Sequence, residues 1–397
     1  MLDVLYLLHG EGHGGDAKAT VRLAAAMQKS GFNVAAMISE SQIHADAFKN
    51  YANEAGVPFH FLATSRSTSR MARVRDYAAQ VGSKCPKVVH FHTGDSFVHV
   101  ETALAIRLAH AGKRLATLHY YREKSTSNPK RLLTQWLGDR IFHKITVPSE
   151  YSRQMCLAHT WRPDRNKFIA IANLVDWQRL QNADRVSARR KLGLPIESPL
   201  ILFASRFSKG KRPQDAIIAF QQISQRHSKA VLVMAGVGEL LNECRSLAAS
   251  SGGRIHFVGY RDDMCDLMAA ADIHVLPSTG ESFGLSVVEA MGAGAVNVVY
   301  DVPAVSAIVG NTGLICSRQH PTEIAAALDT LLSDPNLLVK LRNLGTRKAK
   351  REFAEHPLQQ FLALYSLPRT SNLDFAHPAK LAAVNTQDKL PKMTHSR

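Results

Sequence analysis

No stretch of this sequence approaches the roughly 20 consecutive apolar residues that a membrane-spanning helix needs, and runs such as residues 273–277 fall far short. No charged-then-apolar leader opens the chain, so the expectation is a cytoplasmic protein that visits a membrane surface at most. Cysteine is sparse: Cys85, Cys156, Cys244, Cys265 and Cys316 stand singly, with no C-x-x-C pair. That pattern argues against a disulfide framework or a zinc site and points to a reducing compartment. Aromatic residues, 7% of the chain, are not interleaved with basic ones, which argues against a nucleic-acid module. No repeat of solenoid length is visible.

What is present is an ordinary globular composition, 45% hydrophobic and 21% charged. Its 397 residues are too many for one comfortable core, so two domains are expected. The formal charge is +16, unevenly spread: residues 64–150 hold 15 Lys and Arg against 6 Asp and Glu. Such a surplus attracts an anion, be it a phosphorylated substrate or an acidic headgroup.

Short, nearly continuous apolar runs alternate with helical periodicity. Residues 2–8 read as a buried parallel strand, 17–30 as a helix and 32–38 as the next strand. The alternation continues to a strand at 144–147, loosens into a polar stretch near 173–190, and restarts at 200–204. Two such runs predict two doubly wound, Rossmann-like α/β domains, 1–178 and 179–366, with the ligand at the carboxyl ends of the strands. Residues 367–397 are polar, carry Pro378 and Pro391, and read as a mobile tail.

The first strand runs into HGEGHGG, where Gly10, Gly12 and Gly15 fit G-x-G-x-x-G and Glu40 ends the second strand. By itself this is a dinucleotide fingerprint, and an NAD-dependent oxidoreductase is the rival reading. Its physical content is wider: glycines let backbone N–H groups approach any diphosphate at the positive end of a helix.

The segment ESFGLSVVE, residues 281–289, follows a strand and a turn and starts a helix near Phe283 and Gly284. Free N–H groups around Gly284 and Leu285 suit a phosphate or a sugar, while Glu281 and Glu289 suit different ends of one long ligand. Arg206 and Lys211 leave the first strand of the second domain where a diphosphate belongs, placed to stabilise a departing diphosphate. Removing one such donor costs roughly 3–4 kcal/mol in rate.

Together with NLVD at residues 173–176, these elements resemble the retaining GT-B glycosyltransferases of group 1, which include bacterial sugar transferases for lipopolysaccharide, capsule and phosphoinositol mannosides. The resemblance covers about residues 2–366 and is strongest at 200–314. It implies two Rossmann-like domains facing across a cleft, with the C-terminal helix returning to the first. It implies that Gly14 and Gly15 pack near the donor phosphates and that Arg206 and Lys211 bind them. Glu281 would approach the transferred sugar, Glu289 the nucleotide ribose, and Phe283, Gly284 and Leu285 would offer backbone contacts. His119, in TLHY at a strand end, fits the histidine found near the anomeric centre; His9, His13, His90 and His92 have weaker claims.

The chemistry implied is transfer with retention, a donor phosphate oxygen taking the acceptor's proton, with no carboxylate base, cofactor or metal. No Asp-x-Asp motif occurs. The donor would be a UDP- or GDP-linked sugar, and the acceptor a glycan or lipid-linked molecule against the basic first domain. Arg70, Arg73 and Arg75 share one helix; Lys124, Lys130, Arg131 and Arg140 flank Leu132, Leu133, Trp136 and Leu137, a mixture suited to an anionic bilayer. One departure stands out: where relatives carry a glycine pair and a glutamate after the paired-glutamate helix, residues 301–307 read DVPAVSA. A catalytically silent carbohydrate-binding protein would explain that loss, whereas an oxidoreductase leaves the second domain's motifs idle.

Overall fold

The computed structural model describes residues 2–9, 14–39, 45–63, 69–94, 98, 100–109, 112–119, 129–160 and 162–365. Thirteen strands form two wholly parallel sheets. The first holds β1 (Val4–His9), β2 (Val34–Ser39), β3 (Phe59–Leu62), β4 (Val88–Thr93), β5 (Lys113–Leu118), β6 (Lys144–Val147) and β7 (Phe168–Ala170). The second holds β8 (Leu200–Ala204), β9 (Val231–Ala235), β10 (Ile255–Gly259), β11 (Ile273–Leu276), β12 (Val296–Tyr300) and β13 (Leu314–Cys316). Their orders, β3-β2-β1-β4-β5-β6-β7 and β10-β9-β8-β11-β12-β13, both reverse direction beside their first strand. A crevice therefore opens beyond the carboxyl ends of β1 and β4 in one domain, and of β8 and β11 in the other.

The strands are apolar throughout because both faces are covered. Val4, Tyr6 and Leu8 point into one core with the helix Gly15–Lys29, while Leu5 and Leu7 point into another. In β8, Ile201 and Phe203 face one layer and Leu200, Leu202 and Ala204 the opposite one. The expected polar join is more ordered than its composition suggests. Asp176 and Asp184 cap the short helices Trp177–Asn182 and Arg185–Lys191, accepting from the Arg179 and Ser187 amides. Arg189 from that stretch is 1% exposed and donates to Asp272 at 2.8 Å, a carboxylate also held by Arg185 and Arg342.

After the helix Pro335–Ala349 a π-helical turn, Lys350–Ala354, redirects the chain, and Phe353 packs edge-on against Phe283 at 5.9 Å. The last described helix, His356–Tyr365, then lies on the first domain, with Phe361 and Tyr365 in its core. The Tyr365 hydroxyl meets the Tyr6 hydroxyl at 3.0 Å and His90 Nδ1 at 2.7 Å. The expected return of the C-terminal helix is thus observed, while residues 367–397 lie outside the described residues.

Candidate functional site

The loop after β8 is held from three sides. Arg212 takes a left-handed conformation (φ 48°) and donates twice to Asp215 of the next helix, at 2.6 and 3.0 Å; the Tyr300 hydroxyl donates to the same carboxylate at 2.6 Å. From the neighbouring strand end, a Cβ on Gly236 or Gly238 would fall 2.0 Å from the Ser205 carbonyl or 2.4 Å from that of Phe207. Only glycine tolerates that approach together with φ values of 136° and 155°. This packing shapes the strand-end loop that carries Arg206 and Lys211. The Thr279 amide, from the turn after β11, donates to the Gly210 carbonyl at 2.9 Å and closes the two loops on each other. Lys211 Nζ forms an ion pair with Glu281, so the basic and acidic motifs meet. Arg206 is exposed at the same strand end.

The helix bearing Glu289 spans Leu285–Ala293. Gly284 caps it in the left-handed region (φ 89°), and no side chain satisfies its first N–H groups. That leaves the positive end of the helix to an anion. Phe283 is 4% exposed and buried against Phe353, so its side chain belongs to the core and only its backbone faces the site. Beneath the helix, Asn297 donates to the Val287 carbonyl at 3.1 Å, and its Oδ1 accepts from His274 Nδ1 at 2.7 Å.

From the first domain, Gly14 caps the helix Gly15–Lys29, and a Cβ on Gly15 would lie 3.9 Å from Leu285 Cδ1. The starts of the two helices therefore approach each other across the cleft. Gly10, Gly12, His13 and Glu40, the rest of the dinucleotide fingerprint, lie outside the described residues. Further links cross the cleft. Arg22 Nη2 is 2.7 Å from Glu289 Oε1, and Ser149 and Ser152 both donate to the Ser282 carbonyl, at 2.6 and 3.0 Å. One turn before Arg22, Lys18 sits 5.4 Å from the Tyr51 ring and 5.5 Å from the Tyr260 ring, whose hydroxyls bond to each other. Burial pulls the Lys18 ammonium down, against the pull of Glu289.

His119 follows β5, its amide bonded to the Thr93 carbonyl at 2.9 Å. Its Nε2 meets His92 Nδ1 at 2.9 Å, and its own Nδ1 is buried without a hydrogen-bond partner. Burial pushes His119 down to about 4, with nearby Asp16 opposing, and takes His90 to about 3 and His92 well below the usual imidazole range. At neutral pH the cluster is uncharged. A neutral His119 can hydrogen-bond but is not a proton donor of imidazolium strength. His90 is spent structurally, bonded to Tyr365 and, at 2.7 Å, to Thr117.

The segment that departs from the expected pattern, residues 301–307, is not a loop. Pro303 opens the helix Pro303–Val309, Asp301 accepts from Ser306 at 2.7 Å, and Val305 Cγ2 lies 3.0 Å from where a Gly284 Cβ would be. Sequence reasoning missed Arg22, Lys18, Ser149, Ser152 and Tyr260, whose partners are remote in the chain. Only the surplus of positive charge on residues 18 and 22 of one helix face hinted at them.

Two doubly wound sheets thus bring a cationic strand end and a glycine-capped helix start together at a switch point. Residues 184–348 match the family Glycosyl transferases group 1. The chain is similar to D-inositol 3-phosphate glycosyltransferase of Rhodococcus jostii, 29% identical over 262 residues, 62% of this chain and 56% of the relative. It is also similar to N-acetyl-alpha-D-glucosaminyl L-malate synthase of Bacillus anthracis, 26% identical over 49% of this chain and 51% of that protein. The chain spans about half the length of these curated relatives. Among solved structures it resembles Anabaena Alr3699/HepE in complex with UDP, with a TM-score of 0.77 and 19% identity, over 92% of this chain and 100% of that one.

Proposed function

We propose that this protein transfers a sugar, with retention of anomeric configuration and without a metal, from a UDP-linked donor to an acceptor seated against the first domain. The observation that carries this reading is the convergence of Lys211, Glu281, the uncapped start of Leu285–Ala293 and Glu289 at one strand-end crevice. Arg206, Lys211 and the helix N-terminus supply positive charge to a departing diphosphate, the task that a divalent cation performs elsewhere. The backbone around Gly14 and Gly15 adds N–H groups from the opposite wall. Glu281 hydrogen-bonds the transferred sugar and Glu289 the ribose. Neutral His119 bonds a sugar hydroxyl near the anomeric carbon. The acceptor oxygen attacks from the leaving group's side and passes its proton to a donor phosphate oxygen, so neither glutamate acts as base.

UDP is preferred over GDP because the similar Anabaena structure is a UDP complex. The acceptor is a glycan or lipid-linked sugar of cell-surface polysaccharide or lipopolysaccharide synthesis. A small anionic polyol or hydroxy acid is the second reading, favoured by relatives named for inositol 3-phosphate and L-malate. Peripheral contact with an anionic membrane at its cytoplasmic face is part of the proposal. Leu133 and Leu137 are 45% and 42% exposed on the helix Pro129–Ile141, with Arg140 over the Trp136 ring on the same helix. Lys124 and the side chains of Lys130, Arg131 and Leu132 lie outside the described residues. No described helix is long and apolar enough to cross a membrane.

Calorimetry with UDP, GDP, ADP and NAD on the wild type and Glu289→Ala tests the donor assignment. Binding of UDP that weakens in the variant is expected. Binding of NAD and of none of the others would restore the oxidoreductase reading. The anomeric configuration of a product, read by NMR, decides retention, and turnover in the presence of a chelator decides metal independence.

A further inference from the structure

The one ion pair that joins the two walls at the nucleotide end of the cleft, among the described residues, involves a residue outside every motif. Arg22 lies on the inner face of the helix Gly15–Lys29, two turns beyond the Gly15 that faces Leu285. Its Nη2 donates to Glu289 Oε1 at 2.7 Å, with the two side chains 22% and 13% exposed. Its second terminal nitrogen, Nη1, is shielded from solvent and has no hydrogen-bond partner among the described residues. A guanidinium nitrogen left in that state is unfavourable unless an incoming group accepts from it. The carboxylate has lone pairs to spare beyond the one bond to Arg22, since each of its oxygens accepts twice.

Carboxylate and guanidinium together thus present an acceptor and an unsatisfied donor side by side. A vicinal diol matches that pair, because each hydroxyl both donates and accepts. We propose that Arg22 is a positioning residue for the donor nucleotide: it fixes Glu289 from across the cleft and offers Nη1 to the same ribose. This rests on the reading of Glu289 as the ribose ligand. It adds that nucleotide affinity depends on the first domain standing against the second, because half of the diol-reading pair comes from each. The cationic partner also keeps Glu289 aimed while the site is empty, so that the hydroxyl meets a carboxylate already oriented.

The test is calorimetry with UDP and 2′-deoxy-UDP on the wild type, Arg22→Ala, Arg22→Lys, Glu289→Ala, Lys211→Ala and the Arg22→Ala/Glu289→Ala double variant, with thermal melting to check folding. Arg22→Ala is expected to bind UDP about tenfold more weakly, about 1.4 kcal/mol. It should also narrow the preference for UDP over 2′-deoxy-UDP, a ratio that loss of packing alone leaves unchanged. Arg22→Lys should recover part of both effects, and it stands in for the alanine variant if that one fails to fold. In the Glu289→Ala background, removing Arg22 should cost less UDP affinity than the tenfold expected in the wild type, because only the Nη1 contact is then left to lose. UDP affinity and deoxy discrimination that are unchanged, or raised, in the Arg22 variants overturn the inference. If Lys211→Ala still weakens binding in that case, the donor site stands without Arg22. A wild type that binds no UDP removes the donor reading and this inference together.

Discussion

Buried ionisable side chains pull the stability of this protein in two directions. Asp139 is 6% exposed, neither of its carboxylate oxygens has a hydrogen-bond partner, and burial pushes it up to about 7 against the pull of Lys167. An acid whose folded-state pKa is raised holds its proton better in the folded state. Stability is therefore greatest below the unfolded value near 4 and falls as pH rises towards 7. His90, His119 and His274, at about 3, 4 and 4, behave oppositely, since unfolding lets each take up a proton. Their contribution is complete above about pH 6.5 and is lost as pH falls towards 4. Asp139→Asn should thus be more stable than the wild type at pH 8, with the advantage shrinking at pH 5; urea denaturation at the two pH values measures it. An equal difference at both would show that the carboxyl is already ionised or solvated in the folded protein. At this scale the places of Arg206, Lys211, Glu281 and Glu289 in the fold were legible, because each sits at a fixed offset from a strand end or helix start. Arg22 was not: nothing local distinguishes an arginine that reaches a distant glutamate from one that reaches water.

Helices and strands followed their apolar period wherever burial on both faces wrote a continuous run, as in β1, β8 and β11. The misreadings have specific causes. Strands β7 and β13 span three residues each, too short to show a period. Residues 301–307 were read only for the glycines and the glutamate they lack, and the helix start that Pro303 favours at the first helical position was passed over. The helices within 173–190 are announced by Asp176 and Asp184, capping signals that the surrounding polarity disguised. The helix Pro129–Ile141 is the element whose role is most open to experiment. The helix with exposed Leu133 and Leu137 packs on Val100–Ala109, which packs in turn on Arg70–Gly82; Leu108 and Met71 of those two helices are 57% and 52% exposed. Replacing Leu133 and Leu137 with aspartate should lower co-sedimentation with phosphatidylglycerol vesicles several-fold, at roughly 1 kcal/mol or more per leucine withdrawn. UDP binding should be untouched. Equal sedimentation of variant and wild type would mean that this face does not meet the bilayer.

At the level of the molecule, two reversed strand orders were enough to put the site between the domains before any side chain was placed. The sequence pattern could not tell how the walls are tied together, because the ties are single side chains and carbonyls from segments far apart in the chain: Ser149 and Ser152 on Ser282, Arg22 on Glu289. The return helix is another tie, and its polar anchor is testable. Tyr365→Phe removes one hydroxyl but strands the Tyr6 hydroxyl and His90 Nδ1 inside the first core. The expected loss is about 1–3 kcal/mol, well beyond the usual worth of one hydrogen bond. Denaturation of Tyr365→Phe beside Tyr6→Phe and the double variant gives the coupling, and strict additivity would show that the hydroxyls do not act together.

That same helix also sets a timetable. A ribosome delivers the first domain's seven strands long before it delivers residues 356–365, so one core of that domain, lined by Tyr6 and His90, has to wait while the whole second domain is made. Synthesis at about 5–20 residues per second turns the gap into many seconds during which an apolar face and two polar groups stand uncovered. The first domain can collapse early, but it locks only when its partner is complete and the chain comes home.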